Sequence, residues 1–397
     1  MTIDMTTEMA LDGATDLDAE RVGWIRDRLA ADVAAERYDG IAVMVGHRGR
    51  LVLAEAAGLA NRETSAPMHA DSVAICFSTG KQFVNTLVLR AVEKGLLGLH
   101  QPIVEVLPGF ANRGKEGITL THLLTHTSGI CTGLPPVEPE VMLSIDGLTA
   151  WAAASRPENR PGERVCYSAI VAHAILASLL LAVDGHGRNF AQYLDDELFA
   201  PLGMTRTSLG VADHLRDEFN PLTTRYTRSG MFHAEEVDAV GAATTVPGAE
   251  IPAGGYVTTA TDLHRFATML AGGGAAADGA RIVSPAMLEF ASANRTGDVP
   301  NDLLDYSLQM RRWSAWPGAI GLGYFVGVGG ITPGPLPNLG RPGTFGGWGS
   351  GTSCFWVDPT RELSFAMLTV GSMEDTEHIE RTRALGDTVI AALPADA

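Results

Sequence analysis

Ser78 and Lys81 are the residues of this chain whose types and spacing first suggest chemistry. They stand three apart in Cys76-Phe77-Ser78-Thr79-Gly80-Lys81-Gln82-Phe83. Apolar residues follow at helical spacing (Phe83, Val84, Leu87, Val88, Ala91, Val92), with Gly95 as the stop. Residues three apart on a helix share a face, so the pair is expected to project together from the start of a mostly buried helix. A serine hydroxyl is a poor nucleophile near neutral pH and needs a base within hydrogen-bond reach. A lysine held out of bulk water has its pKa lowered and can serve as that base. Alone, a Ser-x-x-Lys is common by chance, and its ordinary reading is a helix cap with a solvated lysine. Its weight has to come from the rest of the chain.

That chain has 397 residues, 46% apolar and 19% charged, with 45 glycines, the profile of a globular enzyme with one large domain or two interleaved ones. The net charge of −17 and the lack of a Lys/Arg run exclude nucleic acid as an expected partner. Met1 to Asp18 is acidic and resembles neither a secretory signal nor a membrane anchor. The most apolar stretch, Ala169 to Val183, is too short to span a bilayer. A cytoplasmic protein without membrane contact is expected. Cys76, Cys131, Cys166 and Cys354 are scattered, and read as reduced, packed core residues.

The elements that must position the pair can be read in order. A helix is expected from Leu17 to Glu36, and a β-hairpin from Ile41–Val45 and Leu51–Ala54 about the turn at His47–Arg50. Ile118 to Ile130 has a helix start at Thr119 or Thr121 and a stop at Gly129. Within it His122 and His126 are four apart, a spacing that can hold a metal. No acid follows His122 and no third ligand stands nearby, so structural hydrogen bonding is expected and no metal. Helices are read over 149–155, 169–183, 190–199, about 261–270 (capped by Thr261 or Asp262), 285–293 and 374–393. Strands are read over 322–328, 352–357 and 363–370. Residues 205–250 give no clear pattern. Strands at both chain ends with helices between suit an α+β fold, an antiparallel sheet built from the two ends with helices packed on it. The expected division is a discontinuous sheet domain, 1–70 and 245–397, and a mostly helical domain, 71–244, with the active site between them.

Three separated pieces then come together: Ser78-Thr79-Gly80-Lys81, Tyr167-Ser168-Ala169, and Gly347-Trp348-Gly349-Ser350. Their order and spacing resemble the penicillin-recognising serine hydrolases of the β-lactamase/transpeptidase-like fold: class C β-lactamases, DD-peptidases and family VIII carboxylesterases. The resemblance spans about residues 40 to 372. It implies that Ser78 is the acylated nucleophile, Lys81 its proton acceptor or electrostatic helper, and Tyr167 a proton relay to the leaving group, made more acidic by the lysine. Whether Lys81 or Tyr167 is the base stays open. It also implies an oxyanion hole from the backbone N–H groups of Ser78 and Ser350. Gly347, Trp348 and Gly349 are expected beside the substrate, the glycines as space for it and Trp348 as a wall of the acyl pocket. No cofactor is implied.

The departures point to a substrate class. The second piece ends in Ala169, where β-lactamases carry an amide-holding asparagine. The third begins at Gly347, where peptidases and lactamases carry a cation for the substrate's carboxylate, or at Trp348 in a register typical of the esterase branch. Losing both argues against anionic β-lactams and peptide carboxylates. The expected activity is a serine carboxylesterase acting on a small-molecule ester. The alternatives are acyl transfer from the same acyl-enzyme, amide, peptide or β-lactam hydrolysis, and last a non-catalytic binding relative. The pocket shape is expected to be set by the loops at 133–162, 205–250 and 329–343.

Overall fold

The computed structural model describes residues 17–395 apart from 131, 227–231, 313–317, 330 and 332. The acidic start of the chain up to residue 16, and Cys131, therefore lie outside the described residues. The described residues form ten strands, in chain order β1 Gly40–His47, β2 Arg50–Asn61, β3 Ala66–Pro67, β4 Ala74–Ile75, β5 Ser208–Leu209, β6 Tyr256–Thr258, β7 Phe325–Val326, β8 Phe345–Gly349, β9 Ser353–Asp358 and β10 Leu363–Val370. Seven of them form one antiparallel sheet, ordered β3-β2-β1-β10-β9-β8-β7. Its centre is the pairing of β1 with β10, from Gly40↔Val370 to His47↔Leu363, which joins the two ends of the chain as the α+β reading requires.

Side chains alternate across a strand, and here both faces are covered. Ile41, Val43, Val45, Phe365 and Met367 pack against Val22, Ile25 and Leu29 of the first helix, Ala19–Ala34, and against Leu385 and Val389 of the last, Asp375–Ala391. Ala42, Met44, Phe355, Ala366 and Leu368 face the other way, into the larger core that holds the helix Lys81–Glu93. At its centre Phe83 meets Phe199, Tyr256 and Phe266 edge-on, with ring centroids 4.9–5.4 Å apart. Such pairs add to the area they bury. A second, three-stranded sheet, β4-β6-β5, ties the segment just before Ser78 to residues 208–209 and 256–258.

Several boundaries differ from the sequence reading, each for a local reason. The helix expected to run from Thr119 to Gly129 spans only Leu120–Leu124, because His126 takes a left-handed backbone (φ +54°) before Gly129 is reached. The helix Ala260–Ala271 is capped by Thr259, whose hydroxyl accepts the Asp262 N–H at 3.0 Å. Asp262 instead accepts from the Arg206 N–H and pairs with Arg265. The strand expected over 322–328 shrinks to two residues. Gly323 (φ +87°) turns the chain there, with a backbone so close to Asn85 that a side chain would not fit. The unreadable stretch 205–250 holds a helix, Ala234–Thr244. Cys76, Cys166 and Cys354 are buried free thiols. Among the described residues no helix is long and apolar enough to cross a membrane.

Candidate active site

Ser78 does not sit on the α-helix itself. It lies in a 3₁₀ turn, Phe77–Gly80, that feeds into the helix at Lys81. Residues three apart eclipse in a 3₁₀ turn, so the expected alignment holds: Lys81 Nζ and Ser78 Oγ are 2.9 Å apart. Two features hold the turn in place. Phe77 adopts a left-handed backbone (φ +42°), a strained state for a phenylalanine that persists only where the surroundings impose it. Ser353 Oγ of β9 donates to the Cys76 carbonyl at 2.7 Å and lies 2.8 Å from Thr79 Oγ1, clamping the turn to the sheet. Gly80 has no alternative, since a β-carbon there would fall 2.1 Å from the Tyr256 ring.

Lys81 is 1% exposed. Its Nζ also donates to the carbonyls of Ala169, at 2.7 Å, and Ala253, at 2.6 Å. Burial drives its pKa well below the ordinary lysine range. A neutral amine has two N–H bonds and one lone pair. The two carbonyls can take both N–H bonds, which leaves the lone pair for the Ser78 hydroxyl proton. The sequence could not show these two carbonyls, because backbone acceptors carry no residue signature.

Tyr167 lies over this pair. Its hydroxyl is hydrogen-bonded to Ser78, and its ring centroid is 5.1 Å from Lys81 Nζ. One expectation is corrected here. Burial pushes the phenol up in pKa, opposed by the Ser78 hydrogen bond, so the phenol is less acidic than a free tyrosine and not more. The ring rests on His126, with centroids 4.4 Å apart. His126 also holds the segment by its backbone: its carbonyl accepts the Cys166 N–H at 2.7 Å and its Nδ1 the Ser168 N–H at 3.3 Å. Burial, then the Lys81 charge, pulls the imidazole down to about 3, so it is neutral with its proton on Nε2. His122 Nδ1 accepts the Thr119 N–H at 3.1 Å and closes a capping box. Both histidines make hydrogen bonds that hold the local backbone. The positioning role of His126 under Tyr167 was not readable, since a distant backbone contact makes it.

The third piece needs the larger correction. Gly347, Trp348 and Gly349 lie on β8, where the pleat sends Trp348 away from the nucleophile. Its indole is 2% exposed, in the sheet's other core, with its ring centroid 6.1 Å from that of His378. It does not wall the cavity. The glycines leave space, but for protein and not for substrate. A β-carbon on Gly347 would fall 2.5 Å from Gln82 Cγ, and one on Gly349 2.1 Å from the Cys76 carbonyl oxygen. Both let β8 approach the nucleophile turn closely. Ser350 does reach the site, lining the same cavity as Ser78. Its hydroxyl donates to Asp375 Oδ1 at 2.8 Å, in a buried contact with the first turn of the last helix. Burial pushes the Asp375 carboxyl up to about 7, with the Ser350 hydrogen bond opposing.

The cavity is open-mouthed, with about 420 Å³ of empty space counted out to its solvent-filled mouth. Ser78, Ser350 and Ala169 form its floor. Leu134 comes from the loop 133–162, and Phe232, Val237 and Val240 from the stretch 205–250. Among the described residues, the loop 329–343 contributes nothing to it. Leu336 packs instead in the core on the far face of the sheet.

Known proteins resemble the chain in sequence and fold over most of its length. The chain is 26% identical over 354 residues to "Esterase/beta-lactamase LipL" of Mycobacterium tuberculosis, covering 84% of this chain and 77% of that protein. Its fold matches that of a penicillin-binding protein homologue from Caulobacter crescentus, with a TM-score of 0.76 at 24% identity over 97% of this chain and all of the other (100%). A family VIII carboxylesterase matches with the same TM-score of 0.76 and the same coverages of 97% and 100%, at 20% identity. A sequence model of the family described as "Beta-lactamase" matches residues 25–390, and on that match the chain belongs to the β-lactamase family, among its serine hydrolases.

Proposed function

We propose that this chain hydrolyses carboxylic esters through an acyl-enzyme on Ser78. Ser78 Oγ attacks the ester carbonyl carbon while its proton passes to the lone pair of Lys81 Nζ. The N–H groups of Ser78 and Ser350 receive the developing oxyanion. The carbonyl–oxygen bond to the alcohol then breaks, and the Tyr167 phenol gives the departing oxygen its proton and is reprotonated from Lys81. Water attacks the acyl group by the reverse proton path, and the acid leaves. Lys81 is the base in this reading, and Tyr167 the relay, because burial moves lysine toward its basic neutral form and tyrosine toward its protonated form.

The observation that carries ester over lactam is what stands where an anionic substrate would need a partner. Ala169 lines the cavity with a methyl group. The position of a carboxylate-binding cation is Gly347, whose side-chain space is filled by Gln82. An anionic lactam would have to shed water from its carboxylate with nothing in return. Comparing p-nitrophenyl butyrate with nitrocefin tests this. The ester is expected to turn over faster, and clearly faster nitrocefin hydrolysis would contradict the assignment.

A further inference from the structure

The cavity has a charge asymmetry beyond the missing cation. Among the described residues lining it, only Glu236 is charged. It stands in the first turn of Ala234–Thr244, with Oε2 accepting the His233 N–H at 2.9 Å. Among the described residues no lysine or arginine forms an ion pair with it. Ser350 in turn leads to Asp375 and its neighbour Glu374. Asp375 is 1% exposed. Tyr226 packs with Phe77, Phe232 and Val237 beside the cavity, and its hydroxyl donates to the Phe232 carbonyl at 3.3 Å. Burial raises this phenol, and then, in order, the charges of Asp375, Glu374, Asp238 and Glu236. Among the described residues Lys81 lies behind Ser78 on two carbonyls, and Arg225 is paired with Asp39.

We propose that the ester taken by this site carries a positive charge, an ammonium or trimethylammonium group on its acyl or alcohol part, seated between the Glu236 carboxylate and the face of Phe232. The apolar walls accept the methylene and methyl groups of such a cation. Aromatic and carboxylate neighbours together are the surroundings in which quaternary ammonium groups bind. An anionic substrate meets repulsion from Glu236, and like charges set together reject a wrong partner. The net charge of −17 adds long-range attraction for cations.

This inference rests on the ester reading, and the test separates the two. The p-nitrophenyl esters of trimethylammoniobutanoate, of its tert-butyl carbon isostere and of sulfobutanoate share one chain length and differ in charge. For the wild type, kcat/KM is expected to be highest for the cation, roughly tenfold above the neutral isostere, and lowest for the anion. Glu236→Gln should bring the cationic-to-neutral ratio toward one, mainly through KM, and added salt should compress it in the wild type. Equal or faster turnover of the anionic ester overturns the inference while leaving the ester reading intact. If none of the three esters is cleaved, the ester reading fails. Calorimetry with butyltrimethylammonium and butanesulfonate then still decides the charge preference. Tighter binding of the cation, weakened by Glu236→Gln, supports it, and equal or tighter binding of the anion overturns it.

Discussion

Replacing Lys81 with methionine is expected to lower kcat/KM for p-nitrophenyl butyrate by roughly 10⁴-fold or more, with the protein still folded. Methionine has a similar length and no charge, so the core that surrounds Lys81 can close on it. The carbonyls of Ala169 and Ala253 lose their donor, at about 1–3 kcal/mol for each buried acceptor left unpaired. Removing an amine that burial already disfavours offsets part of that loss. What goes entirely is the base 2.9 Å from Ser78 Oγ. The pH profile gives a second readout. The neutral amine is the active form, so wild-type activity is lost as pH falls through the Lys81 pKa, on a limb well below the ordinary lysine value of about 10.4. That limb should vanish in the variant. A variant within tenfold of wild type, or one that keeps the limb, would remove Lys81 from the role of base.

Tyr167→Phe is expected to lower kcat by roughly 10²–10⁴-fold, the scale of a lost general acid–base group, with little change in KM. The substitution removes one hydroxyl and leaves the ring on His126, whose centroid lies 4.4 Å away. The dependence on leaving group separates a relay from a packing role. An alkoxide needs a proton to depart and p-nitrophenolate scarcely does, so the rate of acylation should fall more for ethyl butyrate than for p-nitrophenyl butyrate. Burst and single-turnover kinetics read that step directly. Equal losses on both esters, or near-normal rates, would show that the phenol does not protonate the leaving group.

The sequence was most informative where one residue type answers to one physical demand. Helical spacing after Lys81 located the helix that carries it, and short apolar runs located β1, β9 and β10. Ser78 and Lys81 were found because a nucleophile and a base at a fixed spacing make a local pattern. What escaped was made by long-range contacts. The two carbonyls on Lys81 come from residues 88 and 172 positions away, and no side chain announces them. The support of Tyr167 by His126 depends on a left-handed residue that ends a helix early. Trp348 was placed beside the substrate by its neighbours in sequence, but a strand sends consecutive side chains to opposite faces. Gly347 and Gly349 face the nucleophile turn, and Trp348 faces the far core. The glycines were correctly read as space and wrongly assigned to the substrate. The helix Ala234–Thr244, which brings Glu236 and much of the apolar wall, was hidden in a stretch where small and polar residues give no clear period.

Acylation of Ser78 underlies every step of the mechanism, and a fluorophosphonate probe reports on it. After reaction with the wild-type chain, peptide mass spectrometry should place one adduct on Ser78, formed at a rate that falls sharply in Lys81→Met and absent in Ser78→Ala. An active wild-type enzyme with no adduct on Ser78, or with its adduct on another residue, would contradict the account.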